Sequence, residues 1–348
     1  MNKRVLDSKL LNSNFNIRSI EISYANDVAE LGAFKLGKVL KIILVLTRLL
    51  KELLLHRPHF VYFQISPLNL AFYRDLFYVA IIKLFNVKIV YHMHGKGIKN
   101  AAKKKWQKRL YKFAFHDSDI ICLSNLLAYD IEDVSSGKIH IVNNGIPDIT
   151  SSFTEISSRH NNIVKILFLS NLLKSKGIMD FIESMSIIKK RGYAFKGLVV
   201  GEEGDLSSLE LKEEINSKNL FNEIEYLGPK YGMEKDKIIN NIDILIFPTT
   251  NDIWGNVILE VMQHSKPIVG TKEGAIPEII DDGITGFLVD KNSPKQIADK
   301  LQILLTKPAV REAMGKAGRK KYEEKYTLQI FEENMKKVFE EIMNEIKR

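Results

Sequence analysis

Two acids, Asp252 and Glu260, stand with seven residues between them in the stretch NDIWGNVILEVM, on either side of a Gly255-Asn256 step. After that step Val257 and Val261, and Ile258 and Met262, recur at helical spacing, so a helix is expected to open near Gly255. The first amides of a helix have no partner inside it, and those of Gly255, Asn256 and Val257 would be free to donate to an anion, aided by the helix dipole. Gly255 has no side chain to block a close approach. Helix side chains lean toward the N-terminus, so Glu260, about one turn in, can reach back toward a ligand held there. An ionised carboxylate only accepts hydrogen bonds and suits a pair of hydroxyls such as a ribose diol. Asp252, in the preceding loop, would face the ligand from the other side of the phosphates. A plainer reading uses the same residues: Asp252 caps the helix and Glu260 is a satisfied first-turn acid. The stretch by itself does not choose between them.

Two further segments carry possible chemistry. In NLLKSKGIMDFIESM, Lys174 and Lys176 precede Gly177, directly after the apolar run IVKILFLS. A loop lysine at the carboxyl end of a strand can neutralise a diphosphate, and it can equally be a solvated loop charge. KEGAIPEIIDDGITGFLV (272–289) reads as a glycine-containing turn, a short helix and a return strand, which alone is connection chemistry. The single cysteine, Cys122, excludes an internal disulfide framework and a thiol-rich metal site. No other metal-ligand cluster stands out, and no metal is expected.

These residues need elements to position them. IVKILFLS (163–170), KGLVVG (196–201), EIEYLG (223–228), IDILIFP (242–248) and KPIVGT (266–271) are continuous apolar runs separated by helical segments. Continuous rather than alternating runs indicate strands buried on both faces, hence a parallel sheet covered by helices. The first half has the same rhythm: IRSIEISY (17–24), HFVYFQIS (59–66), VKIVYHMH (87–94), DIICLS (119–124) and the strand of KIHIVNNGIPD (138–148). Two doubly wound domains follow, with ligand expected at the carboxyl ends of strands. The expected boundaries are 1–147 for the first domain, 148–325 for the second, and 326–348 for a C-terminal helix packing back on the first. A doubly wound domain normally opens with a strand and a glycine turn, whereas MNKRVLDSKLLNSNFNI reads as a helix already under way. The first strand and its turn are therefore expected to be missing.

The chain has 348 residues, 45% hydrophobic and 27% charged, which suits a globular protein with two buried cores. Its net charge of +9 favours anionic partners without choosing among nucleotide, membrane surface and nucleic acid. The apolar segment 39–55 is interrupted by Lys41, Arg48, Lys51 and Glu52 and reads as a well-buried helix rather than a membrane span. No signal peptide is visible. Residues 95–112 hold eight Lys/Arg and no acid, Lys96 first and Lys112 last. Trp106, Leu110 and Phe113 there form a stripe expected to be buried. The basic face is read as contact with an anionic membrane slightly ahead of a solvated surface. Nucleic acid is not expected, since no binding motif accompanies the charge.

The ordered series FLSNLLKSKGIMDFI, LVVGEEGD, EYLGPKYG and ILIFPTTNDIWGNVILEVMQHSKPIVGTKEGAIPEIIDDGITGFLV resembles the retaining nucleotide-sugar glycosyltransferases with the GT-B fold. It is similar to the large family that includes bacterial capsule, lipopolysaccharide and phosphatidylinositol mannosyltransferases. The resemblance implies an α/β protein of two Rossmann-like domains facing across a cleft, the first lacking its first strand. It implies metal-independent transfer of a sugar from a nucleotide-sugar, a substrate rather than a cofactor, to a polysaccharide or lipid-linked acceptor in bacterial surface-glycan synthesis. Glu260 would hold the donor ribose, Asp252 would touch the donor sugar, and Trp254 and the amides of Gly255, Asn256 and Val257 would complete the donor site. The family's diphosphate-neutralising Arg and Lys fall on Asn171 and Lys176, and its first-domain histidine falls on His94, with His92 the other register. Asp252 stands where Glu is usual and Asn171 where Arg is common. The implied location is cytoplasmic and peripheral at the inner face of the membrane. A nucleotide-sugar epimerase on the same architecture and an inactive assembly partner are the alternatives.

Overall fold

The computed structural model describes residues 2–22, 36–150 and 163–347. In chain order the elements are α1 (Asn2–Asp7), α2 (Lys9–Asn14), α3 (Leu36–His56), β1 (Phe60–Phe63), α4 (Asn69–Leu84), β2 (Lys88–Met93), α5 (Ile98–Ala101), α6 (Lys105–Phe115), β3 (Asp119–Cys122) and β4 (Ile139–Ile141). There follow β5 (Val164–Leu169), α7 (Ile178–Lys190), β6 (Phe195–Val200), α8 (Ser208–Ser217), β7 (Ile224–Tyr226), α9 (Gly232–Asn241), β8 (Ile244–Phe247) and α10 (Asn256–Met262). The last are β9 (Ile268–Thr271), α11 (Ile276–Ile279), β10 (Gly286–Val289), α12 (Pro294–Thr306), α13 (Pro308–Lys325) and α14 (Leu328–Ile346). The chain divides into two units: residues 1–143 with 332–348, and residues 144–331.

In the first unit a four-stranded parallel sheet runs β1-β2-β3-β4. The expected strand at 17–24 is not formed over residues 17–22, and its last two residues lie outside the described ones. Ile20 and Ile22 do pack against the core, which accounts for their alternation without a ladder. Segment 69–84, unassigned above, forms α4; apolar residues all round it, from exposed Leu70 and Phe77 to buried Phe72 and Val79, mask its helical period. Two expectations of burial are corrected. Among its described side chains α3 buries the stripe Val45, Leu49 and Leu53, while Leu40, Ile43, Leu44, Leu54 and Leu55 are exposed. In α6 the buried face is Tyr111, Ala114 and Phe115, and Trp106 and Phe113 lie outward. A helix covering a sheet buries one stripe, and Tyr111 takes that stripe by stacking on Phe72 with centroids 4.1 Å apart. Phe339 of α14 packs on Phe15, Phe60 and Tyr62 within the same unit.

The second unit is a six-stranded parallel sheet ordered β10-β9-β8-β5-β6-β7. Numbered within the unit this is 3-2-1-4-5-6 read from its far edge, the doubly wound order whose direction of winding reverses between β5 and β8. Every residue of β8 and β9 is buried, as their unbroken apolar runs require. Side chains from α7 and α12 close one core, with Phe181, Ile182, Met185, Ala298 and Leu301 fully enclosed. The reversal leaves the loops after β5 and β8 adjacent at one end of the sheet. Those loops carry Asn171, Lys176 and Asp252.

Candidate functional site

Three segments far apart in sequence are locked together at this end of the second unit. Gly177 sits at φ +80°, and a Cβ there would lie 2.1 Å from the Pro248 carbonyl oxygen, so only glycine lets the two loops touch. Thr250 donates to the Ser175 carbonyl through both its backbone N–H (2.8 Å) and its hydroxyl (3.0 Å). Gly274, at φ +54°, packs on the Asp252 carbonyl, whose oxygen would lie 2.5 Å from a Cβ there, and the Ala275 N–H donates to Ile253 O at 2.9 Å. The glycine turn of 272–289 is therefore a wall of the site and more than a connection.

Asp252 is at the centre of this arrangement. Its Oδ1 accepts from the N–H groups of Ile253 (2.8 Å), Trp254 (3.2 Å) and Gly255 (3.1 Å). Its Oδ2 accepts from Lys176 Nζ at 2.7 Å, and the same ammonium donates to Asn251 O at 3.1 Å. Asp252 therefore closes the loop ahead of α10 rather than capping the helix, whose N-cap, Gly255, has no side-chain cap bond. The Gly255 amide, expected to be free, is already engaged. Gly255 then takes φ +78° and α10 begins at Asn256. The short acid has a local reason: a carboxylate one methylene from the backbone can close on amides one to three residues ahead, as in other Asx-type turns.

Glu260 lies one turn into α10, flanked by buried Ile258, Leu259, Val261 and Met262. Its Oε1 accepts from Lys235 Nζ of α9 at 2.7 Å, while its Oε2 is buried and accepts no hydrogen bond. Lys235 was not singled out in the sequence; only the packing of α9 on α10 brings it here, and no spacing rule links residues 25 apart. Trp254 is 3% exposed and stands edge-on to Tyr326, with its Nε1 buried without a partner. Asn256 is exposed, and its Oδ1 accepts from Asn144 Nδ2 at 3.3 Å. Asn171 is exposed just beyond β5, with its carbonyl accepting from the Leu173 N–H at 2.7 Å. Val257 is half-buried on the first turn of α10.

His94 belongs to the first unit, just past the end of β2. Its ring centroid is 4.2 Å from that of His92, whose Nδ1 is 2.6 Å from the Tyr62 hydroxyl. The Nε2 atoms of both rings are buried without partners. Burial is the main reason that His94 is lowered to about 4 and His92 well below the usual imidazole range, so both are neutral at pH 7. His92 is fully enclosed and His94 partly accessible. The Asp130 carboxylate fixes the following turn by accepting from the N–H groups of Gly97, Ile98 and Lys99. Among the described residues no group of three His, Cys, Asp or Glu is arranged to hold a metal ion.

Residues 153–321 match the family Glycosyl transferases group 1. Over 195 residues the chain is 31% identical to the capsular polysaccharide biosynthesis glycosyltransferase CapM of Staphylococcus aureus, covering 53% of this chain but 48% of that protein, so it spans about half the relative's length. Among solved structures it is similar to sucrose-phosphate synthase from Thermosynechococcus elongatus, with a TM-score of 0.72, 14% identity, and 88% and 79% of the two chains covered. It is also similar to Anabaena HepE solved with UDP, with a TM-score of 0.71, 15% identity, and 85% and 82% covered. At these identities the structural likeness concerns the fold, the GT-B class with two Rossmann-like domains.

Proposed function

We propose that the chain, whose residues 153–321 match the family Glycosyl transferases group 1, transfers a sugar from a nucleotide-sugar donor to a glycan or lipid-linked acceptor, in the synthesis of a bacterial surface polysaccharide. The observation that carries this reading is the buried, partnerless Oε2 of Glu260 beside the loops at the reversal of the sheet. A carboxylate oxygen held there without a donor is ready for a hydroxyl, and a ribose diol supplies two.

The remaining groups divide the donor between them. Lys176 and the amides of Asn256 and Val257 take the diphosphate, and positive charge and fixed donors at a leaving group stabilise it as the sugar–oxygen bond breaks. Asp252, with Oδ1 held by three amides and Oδ2 paired with Lys176, meets a sugar hydroxyl through Oδ2 beside that ammonium. His94, neutral, is available to a sugar ligand as a hydrogen-bonding group rather than as a cation. Transfer proceeds without a metal, with the acceptor hydroxyl entering on the face from which the diphosphate leaves, and configuration is retained. The departing phosphate takes the acceptor's proton.

The protein acts at an anionic membrane surface on the cytoplasmic side. No helix among the described residues is long and apolar enough to cross a membrane. α6 instead exposes Trp106 (53%) and Phe113 (46%) among the exposed charges of Lys105, Arg109 and Lys112, a pattern suited to the interfacial layer of a bilayer. The test of the donor site is a screen of nucleotide-sugars by released nucleoside diphosphate, with Glu260→Ala beside the parent. Turnover of a donor by the parent and loss of nucleotide binding in the variant is expected. A variant with unchanged nucleotide affinity rules out the ribose role.

A further inference from the structure

Among the described residues Lys235 is the group that the structure adds to Glu260, and nothing in the donor-site reading assigns it a part. It projects from α9, and its ammonium lies 2.7 Å from Glu260 Oε1, with both side chains largely shielded from solvent at 25% and 20% exposure. The two oxygens of Glu260 are thereby made unequal: one is paired with a cation, and the other is buried with no donor. A carboxylate on two rotatable methylenes can otherwise swing about χ3, whose well is broad. A charge-assisted hydrogen bond on one oxygen removes that freedom and fixes the plane in which the other is presented.

We propose that Lys235 is a positioning residue for nucleotide recognition: it orients the Glu260 carboxylate so that Oε2 meets a ribose hydroxyl, and so sets discrimination between ribose and deoxyribose. This rests on the donor-site reading above. Lys235 does not touch the reacting atoms. It acts through Glu260, and the ligand class it selects is a ribonucleoside diphosphate. A merely structural ion pair between α9 and α10 would affect binding of every nucleotide alike. An orienting role changes how much the ribose hydroxyl contributes.

The experiment measures calorimetric affinities of UDP, GDP and their 2′-deoxy counterparts for the full chain, its Lys235→Met, Lys235→Gln and Lys235→Arg variants, and Glu260→Ala. The parent is expected to prefer the ribo form of the nucleotide it binds by about tenfold, as loss of one charged hydrogen bond implies. In Lys235→Met and Lys235→Gln the ratio falls to about twofold or less, with melting temperatures near that of the parent, and Lys235→Arg restores it. A parent that discriminates while Lys235→Met and Lys235→Gln keep the same ratio, even at weaker overall affinity, overturns the inference and leaves the donor site standing. A parent that binds neither nucleotide, or shows no preference while Glu260→Ala binds as well as it does, overturns both.

Discussion

At the scale of single residues the site is built from groups that do two things at once. Asp252 closes its own loop through Oδ1 and holds Lys176 through Oδ2. Removing it therefore acts on stability as well as on chemistry. Asp252→Ala is expected to lower unfolding free energy by about 1–2 kcal/mol, the scale of losing charge-assisted hydrogen bonds to loop amides, and to abolish transfer. Denaturant unfolding beside a transfer assay separates the two, and an unchanged midpoint would show that the turn holds without the carboxylate. Glu260→Ala removes an oxygen with no protein partner together with the partly exposed pair to Lys235, so it should cost folding no more than about 1–2 kcal/mol. Its nucleoside diphosphate affinity should drop by about ten- to a hundredfold, that of a charge-assisted hydrogen bond or two.

At the scale of elements, the site depends on loops pressed to backbone contact. The approach of the loop after β5 to the loop after β8 runs through Gly177, which combines a left-handed φ with a carbonyl where a Cβ would stand. Gly177→Ala is expected to destabilise the second unit by more than about 1 kcal/mol and to disturb the Lys176–Asp252 pair, seen as a lower melting temperature and weaker nucleotide binding together. A variant that melts like the parent would mean that the loops separate freely. On the first unit, α6 is oriented by the Tyr111–Phe72 stack, which leaves Trp106 and Phe113 outside. Sedimentation with vesicles should show binding to anionic but not to neutral lipid, reduced several-fold by Trp106→Ala with Phe113→Ala. Equal binding of parent and variant would remove α6 from the membrane reading.

At the scale of the whole molecule, each unit buries neutral histidine. Burial chiefly lowers His94 in the first unit and His264 in the second to about 4, against roughly 6.5 in an unfolded chain. Between those values the unfolded chain binds more protons than the folded one, so stability rises with pH. The contribution is complete above about pH 6.5 and is lost progressively as pH falls toward 4. Melting temperature should be level from pH 8 to 7 and decline from 6.5 downward; a flat profile to pH 4.5 would contradict it.

Much of this protein is legible along the chain because the signals are local. Continuous apolar runs mark buried parallel strands, and a glycine before a helix marks where amides point outward; β5, β8 and α10 lie where those patterns put them. The Glu260 reach-back follows from the tilt of side chains on any helix. Other features arise only when distant segments meet. Which face of α3 and α6 is covered depended on what lay against it, and apolar residues on both sides left the sequence ambiguous. Lys235 on Glu260, Gly274 on Asp252 and Gly177 on Pro248 join residues tens of positions apart, and no periodicity encodes such pairs. Asp252 as loop clasp and ion-pair partner together was undecidable from spacing, since one carboxylate has two oxygens and only tertiary packing assigns each its neighbour.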